Sequence, residues 1–333
     1  MRAEAGQILA GDVGGTKTLL AVFDPAAGMS IVREATLPSE EIESLESAVE
    51  AFLLGAPRLK VGAACLGVAG PVVDGHCVAT NLPWEVYERR LAAAVGAPAR
   101  LINDLEAAAH GVLTLPPEKF LVLQAGTPNP GHNMALIAAG TGLGQALMVP
   151  DGQGGYRVAP SEGGHADFAP RDETQVDLYR FLRAEFGHVS WERVLSGPGL
   201  ANIYRFLQTR AGHATPDWLR ARLQREDAGA VVGEVGLSGR DPVCVEALDL
   251  FVSIYGAQAG NLALETLALG GLVVGGGIAP KIQAKLSDGR FTAAFRDKGR
   301  LDSLLASIPV KVALDPRAPL RGAARLAAEM LPS

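Results

Sequence analysis

Residues 8–24 read ILAGDVGGTKTLLAVFD: an apolar run, an aspartate, two glycines, and a second apolar run. The middle, GDVGGTKT, looks like a phosphate loop with its letters out of order. A P-loop requires G-x-x-x-x-G-K-[ST] and then a helix, and a dinucleotide fingerprint requires G-x-G-x-x-G opening a helix. Neither fits. After Lys17 the chain runs through Leu19, Leu20, Ala21, Val22 and Phe23 to Asp24-Pro25, which reads as another strand. The stretch therefore predicts strand, glycine turn, strand. The same plan returns at residues 133–150, NMALIAAGTGLGQALMVP, where apolar runs flank Gly140-Thr141-Gly142-Leu143-Gly144. The two halves of the chain open alike.

Outward from these turns the pattern alternates. Leu45, Val49, Phe52 and Leu53 mark an amphipathic helix, and residues 61–68 a strand leading into GVAGPV. A helix is expected over residues 84–95 and a short strand over 99–102, with Asn103 and Asp104 at its end capping the next helix. Further helices are expected over 174–186 and 216–225. The apolar stretch 244–269 has a membrane span's length, but Glu246, Asp249, Gln258, Asn261 and Glu265 interrupt it, so it reads as a long buried helix. Leu272, Val273 and Val274 form a strand running into Gly275-Gly276-Gly277, and a strand near 310–314 precedes a terminal helix carrying Leu320, Leu326 and Met330. Strands alternating with helices indicate α/β architecture.

Composition narrows the function classes. The 333 residues, 48% apolar and 20% charged, suffice for two cored domains and argue against disorder. Forty glycines, grouped between apolar runs, suit turns where backbone approaches a ligand. A net charge of -6 without a basic tract speaks against nucleic acid or an anionic membrane surface and for a small-molecule substrate. Cys65, Cys77 and Cys244 have no C-x-x-C spacing and read as reduced thiols. No apolar core of signal-peptide length precedes the first strand, so a cytoplasmic protein is expected.

A glycine turn between strands can present consecutive N–H groups to an anion when its glycines adopt the required φ angles. On this reading Gly14, Gly15 and Thr16 grip phosphate. Asp12 beside them is acceptor-only, so next to a polyphosphate it requires an intervening cation, most simply Mg²⁺ held partly through water. An ordinary hairpin with Asp12 as a turn residue remains the plain alternative. The second turn and the Gly275 group add what a nucleotide clamped between two domains needs.

Four segments, DVGGTK at Asp12, INDLEAAAHG at Ile102, AAGTGLG at Ala138 and GGLVVGGGIAP at Gly270, resemble in order and spacing the phosphate motifs, connecting helix and adenosine motif of the sugar-kinase, actin-type ATPase superfamily. More narrowly, GVAGPV at Gly67, ATNLPW at Ala79, SEGGHADFAP at Ser161 and WERVLSGPGL at Trp191 resemble the sugar-site segments of bacterial glucokinases of the hexokinase-like group. The resemblance covers nearly the whole chain. It implies two RNase-H-like lobes, residues 1–114 plus 316–333 and residues 115–315, with an active-site cleft between them that closes on sugar. It also implies a homodimer, with transfer of the γ-phosphate of ATP to O6 of glucose and Mg²⁺ at Asp12.

By position, Asp104 matches the family's catalytic base, and Asn103, Asp104, Glu162, His165 and Glu192 match its sugar ligands. The nucleotide positions would be Gly11, Asp12, Gly14, Gly15, Thr16, Lys17, Gly140, Thr141, Gly142, Gly275, Gly276 and Gly277. Asp104 has an independent rationale: a carboxylate at a strand end and a helix N-terminus can accept a hydroxyl proton during phosphoryl transfer, although it could serve only as a cap. Asn81 and Trp84 suit shaping of a sugar loop, Trp84 equally a place in the core. A Glu-x-x-His pair could hold metal, but Glu162 and His165 lie in a glycine loop with no third ligand. The related regulator-and-kinase group carries a cysteine-rich zinc motif after this histidine, where this chain has APRDETQVD. An actin-like ATPase needs no sugar segments, and a repressor needs a DNA-binding segment before a first strand that here begins near residue 8. Another hexose or amino-sugar kinase remains open, as do polyphosphate or ADP as donor.

Overall fold

The computed structural model describes residues 6–55, 59–79, 82–212 and 214–332. The chain divides into two compact units, Met1–Pro116 with Asp315–Ser333, and Pro117–Leu314.

In the first unit the strands are β1 (Gln7–Val13), β2 (Lys17–Asp24), β3 (Ser30–Pro38), β4 (Val61–Val68), β5 (Val72–Val73), β6 (His76–Val78), β7 (Glu85–Tyr87) and β8 (Ala99–Asn103). The helices are α1 (Leu45–Leu54), α2 (Glu88–Val95) and α3 (Asp104–Val112), joined by the chain's last helix, Ala318–Glu329. The main sheet has the order β3-β2-β1-β4-β8. β1 and β2 pair antiparallel from Ile8↔Phe23 to Val13↔Thr18, and β4 and β8 add in parallel. Both faces are covered, which is why β1 and β2 read as continuous apolar runs. Leu9, Val13, Leu20 and Val22 point toward Val49 and Phe52 of α1 and Leu91 of α2. The alternate residues Ile8, Ala10, Ala21 and Phe23 meet Leu320, Ala323, Ala324 and Ala327 of the last helix. The period-2 alternation thus feeds two cores from one run.

Small residues let α3 sit close to its neighbours. A side chain at Gly111 would strike the Ala318 backbone, and one at Gly322 the Ala107 backbone. A Cβ on Gly67 of β4 would stand 2.8 Å from that of Ala107. Residues 84–87 are not helical as expected. Glu85–Tyr87 pairs antiparallel with His76–Val78 in a three-stranded sheet, and the helix begins at Glu88. Trp84, 5% exposed, lies in the core with Cys77 and Val86. Asn81 lies outside the described residues.

The second unit repeats the plan. Its strands are β9 (Phe120–Gln124), β10 (Met134–Ala139), β11 (Leu143–Pro150), β12 (Tyr156–Ser161), β13 (Gly271–Gly275) and β14 (Val310–Ala313). They lie in the order β12-β11-β10-β13-β14-β9. An antiparallel meander is followed by two parallel strands, as in β3-β2-β1-β4-β8, with β9 added antiparallel at the edge. This is the RNase-H-like order that the family resemblance implied. The helices include α4 (Glu173–Phe186), α5 (Gly197–Ala211), α6 (Asp217–Arg225), α7 (Ala228–Ser238) and α8 (Pro242–Glu265). α8 is long and apolar enough to cross a membrane, but it is mostly buried within the protein, as expected. Cys65, Cys77 and Cys244 are free and buried.

Candidate active site

In the first unit, parallel pairing brings the carboxyl ends of three strands into line. Asp12 of β1 pairs with Gly67 of β4, Gly67 with Ile102 of β8, and Val68 with Asn103. Two strand spacings, about 10 Å, therefore separate Asp12 from the end of β8, where Asn103 and Asp104 begin. Asn103 is fixed at both ends of its amide. Its Oδ1 accepts from Leu105 N–H at 2.9 Å, capping α3, and its Nδ2 donates to Gly70 O at 3.0 Å. One amide proton is left for a ligand. Asp104 Oδ1 also accepts from Leu105 N–H, at 2.9 Å, so its carboxylate sits at the positive end of α3. Cys77 lies near enough that burial first, and then the Asp104 charge, push its thiol up.

The turn between β1 and β2 corrects the expected nest in one respect. Gly14 N–H donates to Lys17 O at 2.9 Å, closing the hairpin, so it is not available to an anion. Neither Gly14 nor Gly15 is left-handed. Among the described residues the Gly15 and Thr16 amides find no acceptor. Lys17 is exposed beside them, whereas Gly11 is buried in β1, where a Cβ would stand 2.7 Å from Leu66 Cγ. A strap that sequence reading missed braces the turn. Ser39 N–H donates to Thr16 O at 3.0 Å, its Oγ donates to Gly14 O at 2.8 Å, and Thr18 Oγ1 lies 2.9 Å from that Oγ. Burial pushes the Asp12 carboxyl up to about 6. Among the described residues no opposing charge offsets that burial, and a nearby cation would.

In the second unit three segments distant in sequence converge. Gly140 N–H donates to Gly142 O at 2.8 Å, leaving Thr141 and Gly142 N–H without acceptors among the described residues. Gly197 N–H at the start of α5 donates to Gly140 O at 2.8 Å. Glu192 Oε2 accepts from Leu143 N–H at 2.9 Å, and a Cβ on Gly142 would lie 2.5 Å from that same oxygen. A side chain at 142 would push the Glu192 carboxylate off Leu143 N–H, so it is this approach and not a left-handed φ that favours glycine there. The sequence expectation gave Glu192 to sugar alone, and its carboxylate also holds the glycine turn.

Glu162 precedes and His165 ends a short 3₁₀ turn, Gly163–His165, with His165 N–H donating to Glu162 O at 2.9 Å. Their side chains are exposed, with Nε2 and Oε2 3.8 Å apart. The segment is docked by Trp191 N–H donating to Ala166 O at 2.9 Å and by the edge-on contact of Phe168 with Trp191. Glu162, His165 and Glu192 are thereby borne on adjoining segments. No group of three metal-ligating side chains occurs among the described residues. At the third turn Gly275 is buried at the end of β13, while Gly276, at φ 81°, and Gly277 are exposed. Gly276 must be glycine on two counts, because a Cβ there would also strike the Ala139 backbone.

A sequence profile of the family described as Glucokinase matches residues 9–330. A glucokinase of Synechocystis sp. is 42% identical over 359 aligned positions, spanning 99% of this chain and 100% of its own. The solved structure of a glucokinase from an Antarctic psychrotroph is similar at TM-score 0.81 and 34% identity, covering 97% of this chain and 99% of that one. A glucokinase from Balamuthia mandrillaris in complex with glucose, at 22% identity, has a TM-score of 0.83 over 97% of this chain and 93% of its own, a likeness of fold.

Proposed function

The chain belongs to the glucokinase family, whose reaction is ATP-dependent phosphorylation of glucose, and from that premise we propose how its residues divide the work. Asp104 accepts the proton of the glucose 6-hydroxyl as that oxygen bonds to the γ-phosphorus of ATP and the bond from that phosphorus to the β–γ bridging oxygen breaks, releasing ADP. The fixed amide of Asn103 orients the sugar from the same strand end. Glu162, His165 and Glu192 receive the hydroxyls at the O1 and O2 side. The free amides of Gly15, Thr16, Thr141 and Gly142 and the charge of Lys17 receive phosphate oxygens, and Gly276 and Gly277 border the adenosine.

Asp12 suits Mg²⁺. A single desolvated carboxylate close in sequence to the amides proposed for phosphate matches a cation that keeps most of its water and leans on phosphate for its other ligands. Bound there, the cation would neutralise charge on the transferring phosphate. The observation that carries the reading is the match across residues 9–330, which includes every one of these positions. The family resemblance further supports a cytoplasmic homodimer, which light scattering of the purified protein would check.

Sugar specificity tests the assignment. A site that hydrogen-bonds a hydroxyl rejects an epimer strongly, because its own polar groups are then left unpaired. kcat/KM for glucose is expected to exceed that for galactose and for mannose by at least about 10-fold, or about 1.4 kcal/mol. A coupled assay over a sugar panel measures it. If mannose or an amino sugar proves the best substrate, the assignment of glucose fails while an ATP-dependent sugar kinase survives.

A further inference from the structure

Tyr255, in the middle of α8, is wholly buried, and its hydroxyl does not face the solvent or the proposed sugar ligands. It lies at the strand ends that emit two of the glycine turns. Its oxygen accepts from Ala139 N–H at 3.2 Å, and its single proton has two carbonyls in reach, Ile137 O at 3.3 Å and Gly275 O at 3.5 Å. Ala139 immediately precedes Gly140, and Gly275 begins the third turn. The same two strand ends are tied directly: Ala138 pairs with Gly275, and Ile278 N–H donates to Ala139 O at 3.2 Å. The ring is held from outside by edge-on contacts with Phe251 and Phe291, at centroid separations of 5.9 and 5.7 Å. Burial pushes its hydroxyl well above the usual phenol range, so it stays a neutral donor and acceptor.

We propose that Tyr255 is a positioning residue for the nucleotide: its hydroxyl sets the spacing of residues 140–142 relative to residues 275–277, and thereby the fit of ATP but not of glucose. The core needs only the ring, which phenylalanine would supply. Among the described residues the hydroxyl is the one polar side-chain group hydrogen-bonded to both strand ends, and its partners, Ile137 and Ala139 at the end of β10 and Gly275 at the end of β13, belong to neither sugar segment. The proposal rests on the nucleotide reading of those turns.

The test compares Tyr255→Phe with wild type and with Phe251→Leu, a control that disturbs the same aromatic cluster without touching the turns. Steady-state kinetics would be joined by titration with a non-hydrolysable ATP analogue. Tyr255→Phe is expected to raise KM for ATP and Kd for the analogue about 10-fold, the scale of one or two buried hydrogen bonds. KM for glucose should stay within about twofold, and Phe251→Leu should change neither constant by more than about twofold at a similar loss of Tm. Unchanged analogue binding by Tyr255→Phe, or equal losses for ATP and glucose, would overturn the positioning role. A wild-type protein that failed to phosphorylate glucose would instead strike at the function reading, which separates the two failures.

Discussion

Asp104→Asn is expected to lower kcat by about 10²- to 10⁴-fold, the range typical of removing a positioned base. The substitution is suited to the question because it spares the fold. Asn103, not residue 104, supplies the cap of α3, and an Asn oxygen at 104 can still accept from Leu105 N–H. What disappears is the charge and the ability to take a proton. Loss of a carboxylate beside a helix N-terminus costs only about 0.3–1 kcal/mol of stability. Glucose and ATP analogue binding should therefore stay within a few-fold of wild type while turnover collapses. Retention of more than about a tenth of kcat would show that Asp104 is only a helix-terminal carboxylate. A parallel loss of binding and Tm would show that it is structural.

The parts of this site that were readable from sequence are those encoded by neighbours along the chain. DVGGTK between two apolar runs forecast a hairpin in the first unit and AAGTGLG another in the second, because a strand continuing straight after the turn leaves its apolar alternation in view. Asn103 as a cap was readable for the same reason, since its partner is two residues away. What stayed hidden depends on partners far off in sequence. Glu192 reaches Leu143 across 49 residues, and Tyr255 reaches Ala139 across 116. In a helix apolar on every side, one tyrosine shows no periodicity that would mark it out. Ser39 at the edge of a half-exposed meander gave no signal of strapping Gly14. The sequence expectation placed residues 84–87 at the start of a helix. Their fate was decided by pairing with His76–Val78. The glycines proposed for the nucleotide mislead in a more specific way: at 14 and 142 they admit a tight turn or a close neighbour, and among them only Gly276 has a left-handed φ.

Asp12→Asn is the second large effect, and it should separate function from stability in opposite directions. The Asp12 carboxyl, raised by burial from 3.8 to about 6, binds its proton more tightly in the folded chain than in the unfolded one. Between those values the folded state holds more protons than the unfolded state, so stability falls as pH rises from about 4 to about 6 and stays lowered above it. A rise of that size bounds the cost at about 3 kcal/mol, present at neutral pH and absent below about pH 4. Asn at this position carries no charge to desolvate. Without nucleotide, the variant is therefore expected to gain Tm over wild type at pH 8 and to lose that advantage at pH 4. Its use of Mg-ATP should fall, because a charge-assisted contact through metal-bound water is worth about 1.5–3 kcal/mol, or about 10- to 150-fold in kcat/KM for ATP. Glucose binding should change by less than about twofold. The decisive measurement is a pair of melting curves at pH 4 and pH 8 beside an ATP titration at fixed Mg²⁺. A variant less stable than wild type at pH 8, with sugar and nucleotide affinity reduced alike, would make Asp12 an ordinary turn residue. A variant that is more stable at pH 8 yet poor with Mg-ATP would mean that the unfavourable burial of this carboxylate is retained for the cation it meets.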